Sequence, residues 1–118
     1  LTFIRLWDKI AMWMVDDVNK YRLSLGNVMG DIDKEILLIT QEECAEVSQA
    51  ISKVFRFGMD DCHPVTKIAN REHLEEEIGD LMCMIDLLID HGVVSEAAVM
   101  TAKQEKYHKL QQWSGIFS

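Results

Sequence analysis

The chain has 118 residues and a formal charge of −8, a size that suits one domain able to bury a core without metals or disulfides. That acidic balance excludes the nonspecific phosphate binding that basic patches give to nucleic-acid proteins, while small anionic substrates stay compatible because a divalent metal inverts the local sign. With 48% of residues apolar and a single proline, a helical domain over residues 1–118 is the starting expectation.

Four helical segments can be read along the chain, and no strand. The first covers residues 3–23 and ends where "LSLGNVMG" supplies Gly26 and Gly30 as breakers. Its opening "LTFIRLWDKIAMWMV" is rich in apolar residues, but Arg5, Asp8 and Lys9 interrupt it and it is too short to span a bilayer. Trp7 and Trp13 have flat faces that could stack on a base. Because Phe3, Ile10, Met14 and Val18 accompany them, they read instead as core or subunit-interface residues. The second segment covers residues 32–57, with Asp31 or Asp33 near its start and Gly58 as its stop.

After it comes "GMDDCHPVTKIAN", the one long irregular stretch, which holds Pro64. A loop of that length inside a compact domain is more often functional or mobile than idle; a lid, a partner surface and a plain insertion are its three readings. The third segment covers residues 70–91 and stops at Gly92, and the fourth begins at Ser95, with Glu96 in its first turn, and ends near Trp113. Cys44, Cys62 and Cys83 show no C-x-x-C spacing, and no cleavable-looking leader opens the sequence. A reducing cytoplasm is the expected setting.

The informative residues are two acid pairs on consecutive segments. Glu43 and Glu46 stand three apart in "EECAEV", and Glu77 and Asp80 stand three apart in "EEEIGD". At about 100° per residue, Glu43 falls inside the apolar sector formed by Ile36, Val47, Ala50, Ile51 and Val54, and Glu46 falls on its edge. Glu77 lies at the margin of the face formed by Leu74, Ile78, Leu81, Ile85, Leu88 and Ile89; Asp80 lies one step farther round, on the side of His73 and Met84. Glu42 projects farther out, and Glu72, Glu75, Glu76, Asp86 and Asp90 turn mostly away, as solvated charges do.

Turning ionised carboxylates toward a core costs several kcal/mol each unless something compensates. Lys53 and Arg56 are too few to neutralise four acids, whereas a divalent cation can. Hard oxygen ligands, with no cysteine or histidine at matching spacing, point to Mg²⁺ or Mn²⁺ rather than Zn²⁺. The competing reading is a solvated acidic face, which is what a single such pair in a chain with 20 acids usually is. Two pairs, each at the edge of an apolar stripe on helices able to pack antiparallel, argue for a site.

Other groupings carry less. Cys62, His63 and His73 lack a fourth ligand for zinc. Glu105 and His108 form one E-x-x-H, whereas di-iron bundles need two such motifs and two further glutamates. Met82 and Met84 read as core filler.

The order E-x-x-E, loop, E-x-x-D resembles the all-α NTP pyrophosphohydrolase superfamily, which includes the MazG-like proteins. The motifs read "EECAEVSQAI" and "LEEEIGDLMCMIDLLI", and the match covers roughly residues 32–112. The resemblance implies a four-helix bundle of the MazG-like type, with Mg²⁺ held by Glu43, Glu46, Glu77 and Asp80. It also implies hydrolysis of a nucleoside triphosphate to a monophosphate and pyrophosphate. Family members carry basic and aromatic residues on the helix after E-x-x-D, and in "AKQEKYHKLQQW" this marks Lys103, Lys106, Tyr107 and Lys109, with Lys106 and Tyr107 the best placed. Lysines near a helix C-terminus also suit the helix dipole. The expected protein is a homodimer or homotetramer that meets neither nucleic acid nor membrane, with Lys53 a further candidate substrate contact. The alternative is a non-enzymatic helical dimerisation or regulatory module, which would not need four acids facing inward.

Overall fold

The computed structural model describes residues 29–118. The helix expected over residues 3–23, with Trp7 and Trp13, lies outside the described residues. Three helices are seen: α1, Asp31–Phe57; α2, Asn70–Asp90; and α3, Glu96–Trp113. Among the described residues there is no strand, and one isolated bridge joins Cys62 to Ala69. The described chain is therefore all-α, as expected. No described helix is long and apolar enough to cross a membrane.

Each helix end follows from a local residue choice. α1 stops where Gly58 takes a φ of 92° and its N–H donates back to the Val54 carbonyl at 2.8 Å, the left-handed ending that glycine adopts without a Cβ clash. Gly92, at φ 69°, does the same after α2, with its N–H on the Ile89 carbonyl at 2.9 Å. α3 starts with the Ser95 hydroxyl accepting from the Ala98 N–H at 3.2 Å, a side-chain cap for a helix N–H that has no partner within the helix. At the start of α2 the preceding residue, Ala69, offers no such cap. Instead the Asn70 amide donates to the Gly58 carbonyl at 2.8 Å and ties the start of α2 to the end of α1.

The connection between those helices is built rather than loose. His63 N–H donates to the Ile68 carbonyl at 3.0 Å, Lys67 N–H to the His63 carbonyl at 2.9 Å, and Asn70 N–H to the Asp61 carbonyl at 2.9 Å. The His63 ring Nδ1 accepts from the backbone N–H groups of Val65 at 3.1 Å and Thr66 at 3.3 Å. Lys67 sits at φ 61°, a left-handed conformation uncommon outside glycine.

Contacts along α1 and α2 show the two helices running antiparallel. The end of α1 meets the start of α2 through Gly58 and Asn70, and its middle meets the middle of α2 through Glu43, Glu77 and Asp80. Its beginning meets the second half through the buried cluster of Ile36, Met84 and Leu88. Leu37, Ile39, Leu87, Val93 and Val94 pack around that cluster. Met84 is core, as its position suggests. Met82 is 61% exposed and does not fill the core of the described residues, because it lies on the opposite flank of α2 from Met84. Ile51 and Ile78, expected on the inward faces, are also exposed.

Candidate metal centre

Antiparallel packing brings acids from two helices to one place. Glu43 from α1 and Glu77 and Asp80 from α2 each offer a carboxylate oxygen, and these oxygens all lie within 4.8 Å of one another. Glu43 and Glu77 are half-buried and Asp80 is exposed. One turn separates Glu77 from Asp80, so both reach the same side of α2. Glu43 meets them because its place in the apolar sector of α1 turns it toward that helix.

The electrostatics of this cluster are unfavourable by themselves. Burial pushes the Glu43 carboxyl above its ordinary value, and the charges of Asp80, Glu77, Glu46 and Glu42 push the same way. Its Oε2 is buried and has no hydrogen-bond partner, which is uncommon for a buried polar atom and calls for a compensating group. The donor set is oxygen only, and three carboxylates converge from half-buried to exposed positions. That suits a hard divalent cation that keeps some of its water, as Mg²⁺ does. The residues present fit such an ion.

Of the four acids expected at the site, three come together. Glu46 is exposed and stands outside the trio, about 60° round α1 from Glu43, although its charge is among those that act on Glu43. Glu42, Glu75 and Glu76 are exposed, in keeping with their reading as solvated charges.

His73 is a neighbour that motif reasoning passed over. Its Nε2 lies 3.4 Å from Glu77 Oε1, with 29% and 14% of the two side chains exposed. The contact has the distance of an ion pair without the angles of a hydrogen bond, and the buried Nε2 has no other partner. The signal in the sequence was the i, i+4 spacing to Glu77, which stacks two side chains on one helix face.

The candidate substrate contacts lie elsewhere. Lys53 lines a cleft of about 530 Å³ formed with Phe57, the loop and the first turns of α2. Glu76 borders the same cleft, a position its outward helical direction did not reveal. Lys106 and Tyr107 border a separate hollow of about 290 Å³ on α3, with Lys103 and Leu110. The Tyr107 ring is tilted against Phe117, with centroids 6.2 Å apart.

The sequence model of the MazG nucleotide pyrophosphohydrolase domain matches residues 33–112, a span that includes both acid pairs. No curated protein and no solved structure matches the chain.

Proposed function

The chain belongs to the MazG nucleotide pyrophosphohydrolase family, and from that membership we propose that it hydrolyses a nucleoside or deoxynucleoside triphosphate to the monophosphate and pyrophosphate. The observation that carries the reading is the meeting of Glu43, Glu77 and Asp80, together with a buried Glu43 oxygen that has no hydrogen-bond partner. Glu43, Glu77 and Asp80 would hold Mg²⁺ or Mn²⁺, with Glu46, one turn along α1 from Glu43, as the proposed fourth ligand. When bound, that ion supplies positive charge that offsets the triphosphate and makes water a better nucleophile.

The chain's own groups then do the rest. One carboxylate of the cluster orients the attacking water and takes its proton. The water oxygen bonds to the α-phosphorus, the bond from that phosphorus to the α,β-bridging oxygen breaks, and pyrophosphate leaves with the electron pair. Lys53, Lys106 and Tyr107 are proposed as substrate contacts. The setting is nucleotide-pool maintenance in the cytoplasm by a homodimer or homotetramer, whose interface would cover apolar side chains such as Phe55, 86% exposed, and Met82.

Incubation with a panel of NTPs and dNTPs plus Mg²⁺, with detection of monophosphate and pyrophosphate, tests the proposal. Equal amounts of the two products are expected. No turnover of any triphosphate, or full activity in Glu43→Gln, would refute it. The exposed apolar surface also suits a non-enzymatic dimerisation module, and that reading gains if Mg²⁺ neither binds nor stabilises the protein.

A further inference from the structure

We propose that the cleft walled by the α1–α2 connection is the seat of the substrate's uncharged nucleoside end, base and sugar, while the acid cluster one turn away serves the phosphates. The inference rests on the triphosphate reading above and adds to it the part of the chain that selects the substrate. A volume of about 530 Å³ falls within the roughly 300–1,000 Å³ of small-molecule sites.

The lining has the composition that a nucleoside needs. Phe57 and Ile68 border it while 54% and 41% exposed, so a planar ring laid against them would remove apolar surface from water. The Arg56 guanidinium, 5.0 Å from the Phe57 ring centroid, steadies that ring.

Two polar groups are held in place. His63 Nδ1 is taken by the Val65 and Thr66 N–H groups, so the neutral ring carries its hydrogen on Nε2 and offers a donor. The Asn70 amide is oriented by its bond to the Gly58 carbonyl, which leaves its Oδ1 as an acceptor. A donor and an acceptor on a pre-formed wall match the edge of a nucleobase.

Charge favours the same end of the substrate. Lys53, Asp61 and Glu76 all line the cleft, so it is no basic pocket of the kind that gathers phosphates. His73 joins the two regions, because it lines the cleft and its Nε2 lies 3.4 Å from Glu77. Four residues of helix separate them along the axis, about 6 Å, so one ligand can occupy both.

The test uses Thr66→Trp to fill the cleft and Phe57→Ala to strip its wall, with the purified full chain and the Mg²⁺ and triphosphate panel. For the preferred triphosphate, KM is expected to rise at least tenfold in both variants while kcat stays within twofold, and discrimination among bases is expected to shrink. In parallel, nucleosides added to the metal-free wild type should shift the NMR signals of the His63 ring and the Asn70 amide. Turnover by the wild type with KM unchanged in both variants would overturn the cleft assignment and leave the hydrolase reading intact. If the wild type turns over nothing, the hydrolase reading fails, and the NMR arm decides the cleft: no shift with any of the nucleosides overturns it.

Discussion

Neutralising Glu43 should have opposite effects on the protein with and without metal. Glu43, Glu77 and Asp80 lie within 4.8 Å of one another, so three pairs of like charges repel when all are ionised. Glu43→Gln leaves only the pair between Glu77 and Asp80, and the amide keeps the size of the side chain. Without divalent metal the variant should therefore melt at or above the wild-type temperature. With Mg²⁺ at about 100 times its Kd, a site bound only in the folded state gains about 2.7 kcal/mol. In a domain of this size that corresponds to a rise in Tm of roughly 10 °C. The variant should lose most of that rise, because a ligand and a negative charge are gone, whereas Glu75→Gln, at an exposed position, should keep all of it. Thermal denaturation by circular dichroism, with and without Mg²⁺ for the three proteins, measures this. An equal Mg²⁺ response in wild type and Glu43→Gln would refute the reasoning, as would a metal-free variant that melts well below wild type.

The pH dependence of stability has a sign set by the same carboxyl. Because the fold raises the Glu43 pKa above its ordinary value of 4.5, there is a range of pH above that value in which the folded chain binds more protons than the unfolded one. The associated stability is full below that value and is lost as pH rises through the folded pKa. Metal-free denaturant melts from pH 4 upward should show this loss, weakened in Glu43→Gln, while the Mg²⁺ increment grows with pH as the ligands ionise. His73→Ala should weaken Mg²⁺ binding about tenfold or more, the effect of losing a group that orients a ligand. Isothermal titration with Mg²⁺ and the electron paramagnetic resonance spectrum of bound Mn²⁺ would both register it, and an unchanged Kd and spectrum would show His73 to be a bystander. Leu88→Ala removes a member of the buried cluster with Ile36 and Met84 and should cost about 2–5 kcal/mol in urea denaturation. Gly92→Ala places a Cβ at φ 69° and should cost about 1–2 kcal/mol by the same assay.

Much of the described fold was legible because its signals are local. Gly58, Gly92 and Ser95 mark helix ends through the conformations and hydrogen bonds that those residue types allow, and the observed bounds of the three helices fall within a residue of the expected ones. The site was half legible. The direction of Glu43 and Glu77 followed from helical period alone, since period sets which face a side chain shares. Period put Glu43 inside the apolar sector of its helix and Glu46 on the edge, but it could not say whether an edge acid reaches the second helix. The distance to a second helix decides membership, and that distance is set by packing.

The sequence by itself determined the helices of the described residues and the breaks between them, the family of the chain, and the acids able to meet a cation. These properties depend on backbone propensity and on spacing within one helix, which neighbours in sequence control. Only the tertiary structure decided that Glu43, Glu77 and Asp80 share one place while Glu46 stands aside. It likewise brought His73 against Glu77 and turned the long loop into the wall of a cleft. Those outcomes depend on the register of α1 against α2, which is set by where Ile36 packs on Met84 and Leu88 and where Asn70 ties back to Gly58. Contacts between residues tens of positions apart cannot be read from a periodic pattern, since the same pattern permits several registers.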